Sequence, residues 1–111
     1  MSRCIEQNYE LLKLLAKTRG KQRQAIINAS GKDLIQAVCE CAYNLLRGNI
    51  ELSTDQKRRL ATKKKHLRDL AANKVSLKKK REIIQRGGNL LAFLLPPVVE
   101  SLSKLLFHTR H

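Results

Sequence analysis

The chain has 111 residues, enough for one small domain, and a protein of this length buries only about two-thirds of the surface that its unfolded chain exposes. Its 23 Lys and Arg against nine Asp and Glu give a formal net charge of +14, which favours a polyanionic partner. The acidic residues are too scattered for a paired-carboxylate site, and neither a Ser, His and Asp arrangement nor a phosphate-cradling glycine loop occurs, so an enzyme is not expected.

Helical periodicity predicts three helices across the amino-terminal half. The first covers about residues 4–18 with Gly20 as its stop, and a short second helix covers about 22–29. Ser30 stands three residues before Asp33 in a helix-start pattern, and a broad apolar face continues to Gly48. This third helix is the best core candidate, with an apolar face made of Leu34, Ile35, Val38, Cys41, Ala42, Leu45 and Leu46.

A second start signal precedes the basic part of the chain. Ser53 and Gln56 are in capping-box register, and the helix after them is predicted to run to about residue 73. Ser76 is predicted to cap a fifth helix over residues 77–85, which Gly87-Gly88 ends. One narrow arc of the fourth helix holds its apolar side chains, Leu60, Leu67, Leu70 and Ala71, and predicts a thin leucine seam with the cations facing outward.

The last segment is chemically unlike the rest. Residues 90–95 are apolar, and Pro96-Pro97 predicts a helix break. Residues 98–106 form an amphipathic segment whose apolar and polar side chains lie on opposite faces. Such a tail is either the last core helix or a contact for an oligomer, a shell protein or a membrane surface, with membrane contact ranked below protein contact. Our working hypothesis is a separable tail, so that a chain cut after Gly88 keeps most of its affinity for the polyanionic partner.

These elements predict an all-α fold, a small helical domain of about four to five helices with a basic helical arm and an apolar C-terminal amphipathic segment. The predicted divisions are a helical core domain over residues 1–56, a basic nucleic-acid-binding region over 57–86, and a Gly-Gly hinge with an apolar tail over 87–111.

Cysteine and histidine spacing predicts neither a metal site nor a cofactor. Cys39 and Cys41 project to nearly opposite sides of a helix, so they are expected to be reduced core residues. The three histidines, His66, His108 and His111, have no Cys partner at zinc-finger spacing. The amino terminus lacks a secretory pattern, and the longest uncharged apolar stretch is about half of the ~20 residues that a spanning helix needs, so a cytosolic or nuclear location is expected, not a secreted or transmembrane one.

The charge is concentrated in residues 57–86, where thirteen Lys and Arg stand with only Asp69 and Glu82 and supply +11 of the net +14. Such a run repels itself unless a polyanion neutralises it, and the densest cellular polyanion is the nucleic acid backbone. Neither tyrosine lies in this run, so duplex or backbone binding is favoured over stacking on unpaired bases. The predicted contact residues are Lys57, Arg58, Arg59, Lys63, Lys64, Lys65, Arg68, Lys78, Lys79, Lys80 and Arg81.

Two alternatives remain for this basic run. It forms a merely solvated surface, or the third helix, the turn at 47–52 and the fourth helix form a helix-turn-helix whose second helix enters the major groove. Asn and Gln, which suit adenine readout, are sparse over residues 57–70, and phosphate contacts carry no sequence information directly. Sequence-independent binding of double-stranded DNA is therefore favoured over a sequence-specific regulator.

The carboxyl-terminal third resembles a known family. A basic tract, then Gln-Arg-Gly-Gly-Asn-Leu-Leu-Ala-Phe-Leu-Leu-Pro-Pro-Val-Val at residues 85–99, and a short end closing in Arg110-His111 resemble the precursors of the adenovirus small core protein mu. They also resemble the counterparts predicted in adintoviruses and in Maverick or Polinton elements. The resemblance covers about residues 76–111, and the helical amino-terminal two-thirds has no equivalent in the short arginine-rich mu peptide.

The resemblance implies a virion core protein that condenses the viral genome, located in the virion core and the host nucleus. It also implies processing by a maturation protease at Gly87-Gly88, although Gln85 stands where that protease prefers an aliphatic residue and Ile84 lies one position early. The expected partners are double-stranded DNA and, through the tail, a capsid protein or a second copy of the chain. A peptide released from residues 89–111 that disrupts membranes or docks on the capsid is the remaining alternative.

Overall fold

The computed structural model describes residues 3–86 and 88–108, with side chains for 3–86 and 90–106. These residues form seven helices and no strand, which confirms the all-α class. The helices are α1 (Arg3–Gln7), α2 (Tyr9–Lys17), α3 (Gly20–Ala29), α4 (Lys32–Leu46), α5 (Thr54–Ala71), α6 (Leu77–Arg86) and α7 (Gly88–His108).

The helix predicted over residues 4–18 is divided at Asn8 into α1 and α2. The Asn8 amide Nδ2 donates to the Cys4 carbonyl at 2.8 Å, and its backbone N–H is shared between the carbonyls of Cys4 and Ile5, each at 3.2 Å. A side chain that competes for a helix carbonyl in this way interrupts regular geometry. The division at Asn8 therefore adds one helix to the predicted number of four to five.

The boundary between α3 and α4 differs from the predicted one. The Ser30 hydroxyl donates to the Ile27 carbonyl at 2.7 Å, so it closes α3 and does not cap α4. Gly31 occupies the start of α4 and offers no side chain. The prediction that Ser30 begins the helix was wrong, because the same hydroxyl had a carbonyl partner on the preceding turn.

The carboxyl end of α4 follows the predicted stop at Gly48. Gly48 has φ +76°, a left-handed conformation that is easily reached only without a Cβ. The Asn49 N–H then reaches the Asn44 carbonyl at 3.0 Å, and the Gly48 N–H reaches the Leu45 carbonyl at 3.2 Å. This pair of bonds is a Schellman motif, which satisfies the last carbonyls of α4 and turns the chain toward α5.

The core forms around α4, as predicted. Six of the seven predicted side chains of its apolar face are buried and Leu46 is half-buried. Cys39 is also buried although it projects away from Cys41, because α4 has neighbours on opposite sides in α1, α2, α5, α6 and α7. The exposed side of α4 is therefore reduced to a narrow strip that holds Lys32, Asp33, Gln36 and Tyr43.

The apolar tail is a core helix. α7 packs chiefly against α2 and also against α4, and it continues through Pro96 and Pro97, so the predicted proline break was wrong. Each proline removes a backbone donor and frees the carbonyl four residues earlier. Pro96 and Ala92 lie on the exposed side, where water can bond the freed carbonyl, whereas Pro97 and Phe93 are buried. The buried side chains on either side of the prolines hold the helix together; they are Leu90, Leu91, Phe93, Leu94, Leu95, Val98 and Leu102.

We expect Leu45→Ala to destabilise the domain by about 2–4 kcal/mol, because Leu45 is only 2 % exposed and a thin core relaxes poorly around a cavity. Thermal unfolding followed by circular dichroism measures this cost. The matched control is Leu11→Ala, at a leucine that is 43 % exposed, which should shift the midpoint far less. Equal shifts for the two variants would contradict a core centred on α4.

Candidate nucleic-acid interface

α5 carries most of the predicted contact residues on a helix that is buried only near its carboxyl end. Its start is the predicted capping box: the Gln56 N–H donates to the Ser53 hydroxyl at 3.2 Å, and the Ser53 N–H donates to the Gln56 side chain at 2.8 Å. Leu67 and Leu70 are fully buried, while Leu60 and Ala71 are half-buried, which confirms the leucine seam. Residues 54–66 contain no buried side chain, so this stretch is available to a ligand.

α6 continues the basic surface. The Ser76 hydroxyl accepts from the Lys79 N–H at 3.2 Å, which confirms the predicted cap. Ile84 is buried and Ile83 half-buried, so α6 docks through one apolar edge and leaves Lys78 and Lys79 exposed. Eight of the eleven predicted contact side chains across both helices are exposed: Lys57, Arg58, Arg59, Lys64, Lys65, Arg68, Lys78 and Lys79.

The other three predicted contact residues are half-buried. Lys63 lies on the side of α5 that also carries Leu60 and Leu67, and Lys80 lines a cleft beside α4. Conversely, Lys74 and Arg86 are exposed cations within residues 57–86 that were left out of the predicted set. Both residues belong to the basic run, but the predicted contact set contained only the densest clusters of that run.

The Arg81 side chain is hydrogen-bonded within the fold. Its Nη1 donates to the Ile27 carbonyl at 2.9 Å, and its Nη2 donates to the Ser30 carbonyl at 3.1 Å. The guanidinium thus occupies the carboxyl end of α3, where cations are stabilised by the helix dipole and by unpaired carbonyls. Arg81 anchors α6 to α3, and its free capacity for phosphate contact is reduced accordingly.

Two amide contacts reinforce that anchor. The Gln24 side chain donates to the Gln85 carbonyl at 2.7 Å, and the Gln85 side chain donates to the Asn28 side chain at 3.0 Å. These partners lie 57 to 61 residues apart in the chain, so no local pattern revealed them. They hold the orientation of α6, and hence the direction in which Lys78 and Lys79 point.

Little of the basic charge is neutralised internally. Within residues 57–86 the structure shows one ion pair, Arg58 with Asp55 at 3.9 Å, whose side chains are 78 % and 82 % exposed. An exposed pair of this kind contributes little and is easily exchanged for another anion. The remaining exposed cations of α5 and α6 therefore face solvent without an internal counter-charge among the described residues.

The cysteines are held as neutral thiols. Burial, with Glu40 nearby, raises the pKa of Cys4 to about 11, and burial raises the pKa of Cys39 to about 11. Burial also raises the pKa of Cys41 well above its usual range. Since the thiolate is the nucleophile, a raised pKa lowers the nucleophilic reactivity of these thiols at neutral pH. Among the described residues, no group of three or more His, Cys, Asp and Glu is placed to hold a metal ion.

The predicted processing site is only partly described. Gly87 lies outside the described residues, and Gly88 is the first residue of α7. In the described part of the chain no single helix is long and apolar enough to cross a membrane; α6 with residues 90–106 of α7, bent by 101°, passes on length and composition only. No protein-family model, curated protein or solved structure matches this chain.

Proposed function

We propose that this protein binds and condenses double-stranded DNA without sequence preference, as a core or packaging protein of a virus-like particle or a related mobile element. The observation that carries the proposal is the surface of α5, α6 and the loop between them, where ten exposed Lys and Arg side chains lie within thirty residues. They are Lys57, Arg58, Arg59, Lys64, Lys65, Arg68, Lys74, Lys78, Lys79 and Arg86. Cations without internal partners are available to replace the counterions of a phosphate backbone.

The composition of this surface favours phosphates over bases as its ligands. Arg and Lys side chains on an exposed helix reach backbone oxygens at many positions along a duplex, and such contacts position a protein without reading sequence. The connection between α4 and α5 covers seven residues, 47–53, longer than the three or four that usually join a helix-turn-helix. Sequence-specific binding, as expected of a regulator, is therefore one outcome of the test below and not a second proposal.

The viral assignment rests on the resemblance of residues 76–111 to the mu precursors, which places the proposed action in the virion core and the host nucleus. A capsid protein, a second copy or a membrane as partner of residues 89–111 also stays a prediction. Among the described side chains of α7, Leu105 is the one large apolar residue that is exposed, at 47 %. Contact through the other leucines would require α7 to leave the core.

We expect binding to unrelated duplexes of equal length with similar affinity and a steep dependence on salt. If eight phosphates are engaged, log K should fall with a slope of about −7 against log salt, because each phosphate contact contributes about 0.9 to the slope. Fluorescence anisotropy at several salt concentrations measures both quantities. Preference for one sequence by more than about a thousandfold at physiological salt would place the protein among the regulators instead.

A further inference from the structure

A cleft of about 760 Å³ opens between α4, the carboxyl end of α5, the loop after it and α6. This volume lies within the range of about 300–1,000 Å³ that is common for small-molecule sites. Leu70, Val75 and Leu77 supply apolar wall, while Tyr43 and Lys80 also line it. The cleft thus adjoins the basic helix α6 on one side and the core helix α4 on the other.

Tyr43 is the most distinctive side chain of this cleft. It is 45 % exposed, whereas Tyr9 and Phe93, the other aromatic residues with described side chains, are buried. The Arg47 guanidinium carbon lies 5.5 Å from the centre of the Tyr43 ring, which is cation–π distance. The exposed Tyr43 ring can therefore stack on a base, and the adjacent Arg47 guanidinium can bind a phosphate.

The polar groups of the cleft suit the edge of a nucleobase better than a phosphate. Gln36 and Asn73 place amides in the lining, which can donate and accept hydrogen bonds. The Glu40 carboxylate also lines the cleft and would repel a phosphate entering it. Lys80 is the cation in the lining, and the exposed Lys74 is the chain neighbour of the lining residues Asn73 and Val75.

We propose that this cleft takes one unpaired nucleobase of the bound nucleic acid, stacked on Tyr43, while Arg47, Lys74 and Lys80 contact the adjoining phosphates. The inference rests on the proposed nucleic-acid binding and adds a second mode to it. Charge complementarity and continuity with the exposed lysines of α6 select a nucleic acid as the occupant. Stacking accepts the face of any base, and an amide can donate to or accept from any base edge, so the site tolerates any base and favours DNA with gaps, ends or single-stranded stretches.

The test compares two DNA probes of equal length, a complete duplex and a duplex with a three-nucleotide gap that carries 2-aminopurine. The intact protein should bind the gapped probe on the order of tenfold more tightly, because stacking on an aromatic ring has about that effect per base. It should also quench the 2-aminopurine. Tyr43→Ala should abolish both the preference and the quenching but leave the duplex affinity and its salt slope unchanged, whereas Tyr43→Phe should retain all four.

Leu105→Ala, which removes an exposed apolar side chain elsewhere, is the matched control and should change nothing. Circular dichroism of Tyr43→Ala should show a melting midpoint shifted no more than that of Leu11→Ala, since the two side chains are 45 % and 43 % exposed. Three results would overturn the base site: no preference for the gapped probe, a preference that survives Tyr43→Ala, or an equal loss of both probes in that variant. Duplex binding by the intact protein is scored separately, so its absence would refute the proposed function, and its presence without a gap preference would refute only the base site.

Discussion

A chain that ends after Gly88 is expected to lose its cooperative fold. Seven of the 24 buried apolar side chains among the described residues belong to α7. Burial of each stabilises a protein by about 1.5–3 kcal/mol, so their loss removes about 10–20 kcal/mol. A domain of this kind has a total stability of only ~5–15 kcal/mol. The truncated chain should show a much weaker helical signal by circular dichroism and no sharp thermal transition.

This expectation replaces the hypothesis of a separable tail. Two point variants on α7 give the matched comparison: Leu94→Ala, at a fully buried leucine, should cost about 2–5 kcal/mol, and Leu105→Ala, at an exposed one, should cost far less. A truncated chain that melts cooperatively near the midpoint of the intact protein would show that α7 is dispensable and would restore the separable tail.

Replacement of Lys57, Lys64 and Lys65 by Gln should weaken duplex binding by on the order of a hundredfold at 0.15 M salt. All three side chains are exposed on α5. Loss of three phosphate contacts lowers the salt slope by about 2.7. Multiplied by log(1/0.15), this change in slope gives the expected decrease in log K. Lys63 is left intact because it is half-buried on the docked side of the helix. Anisotropy titrations across salt, on several duplex sequences, measure the effect.

The matched control removes the same charge elsewhere. Lys17, Lys21 and Lys32 are exposed on α2, α3 and α4, so their replacement by Gln gives the same net charge without touching α5 or α6. That variant should lose far less affinity, and both variants should melt like the intact protein. An equal loss in the two variants would mean that net charge, and not the surface of α5 and α6, drives binding.

Much of the fold followed from local patterns. The capping box at Ser53, the glycine stop at Gly48 and the apolar face of α4 act over a few residues, so the sequence displays them directly. The errors arose where a long-range or competing contact decided the outcome. Ser30 bonded backward to α3, and core packing kept α7 helical through Pro96 and Pro97.

The candidate interface divides in the same way. Charge density located the exposed lysines of α5 and α6, because solvated cations need no tertiary partner to be recognised. The engagement of Arg81 with the end of α3 was invisible, since its carbonyl partners lie 51 and 54 residues away in the chain. Likewise, Tyr43 lies outside the basic run, and only the packing of α4 against α6 brings it to the same cleft as Lys80.

The sequence by itself determined the helical class and the position of the basic run, because periodicity and capping depend on neighbours within about one helical turn and charge density depends on composition alone. Tertiary structure decided that the tail packs in the core, which cations remain exposed and where the exposed tyrosine, Tyr43, lies. The position of the tail depends on the burial of apolar area between helices distant in the chain, and this burial outweighs the local preference of two prolines to end a helix.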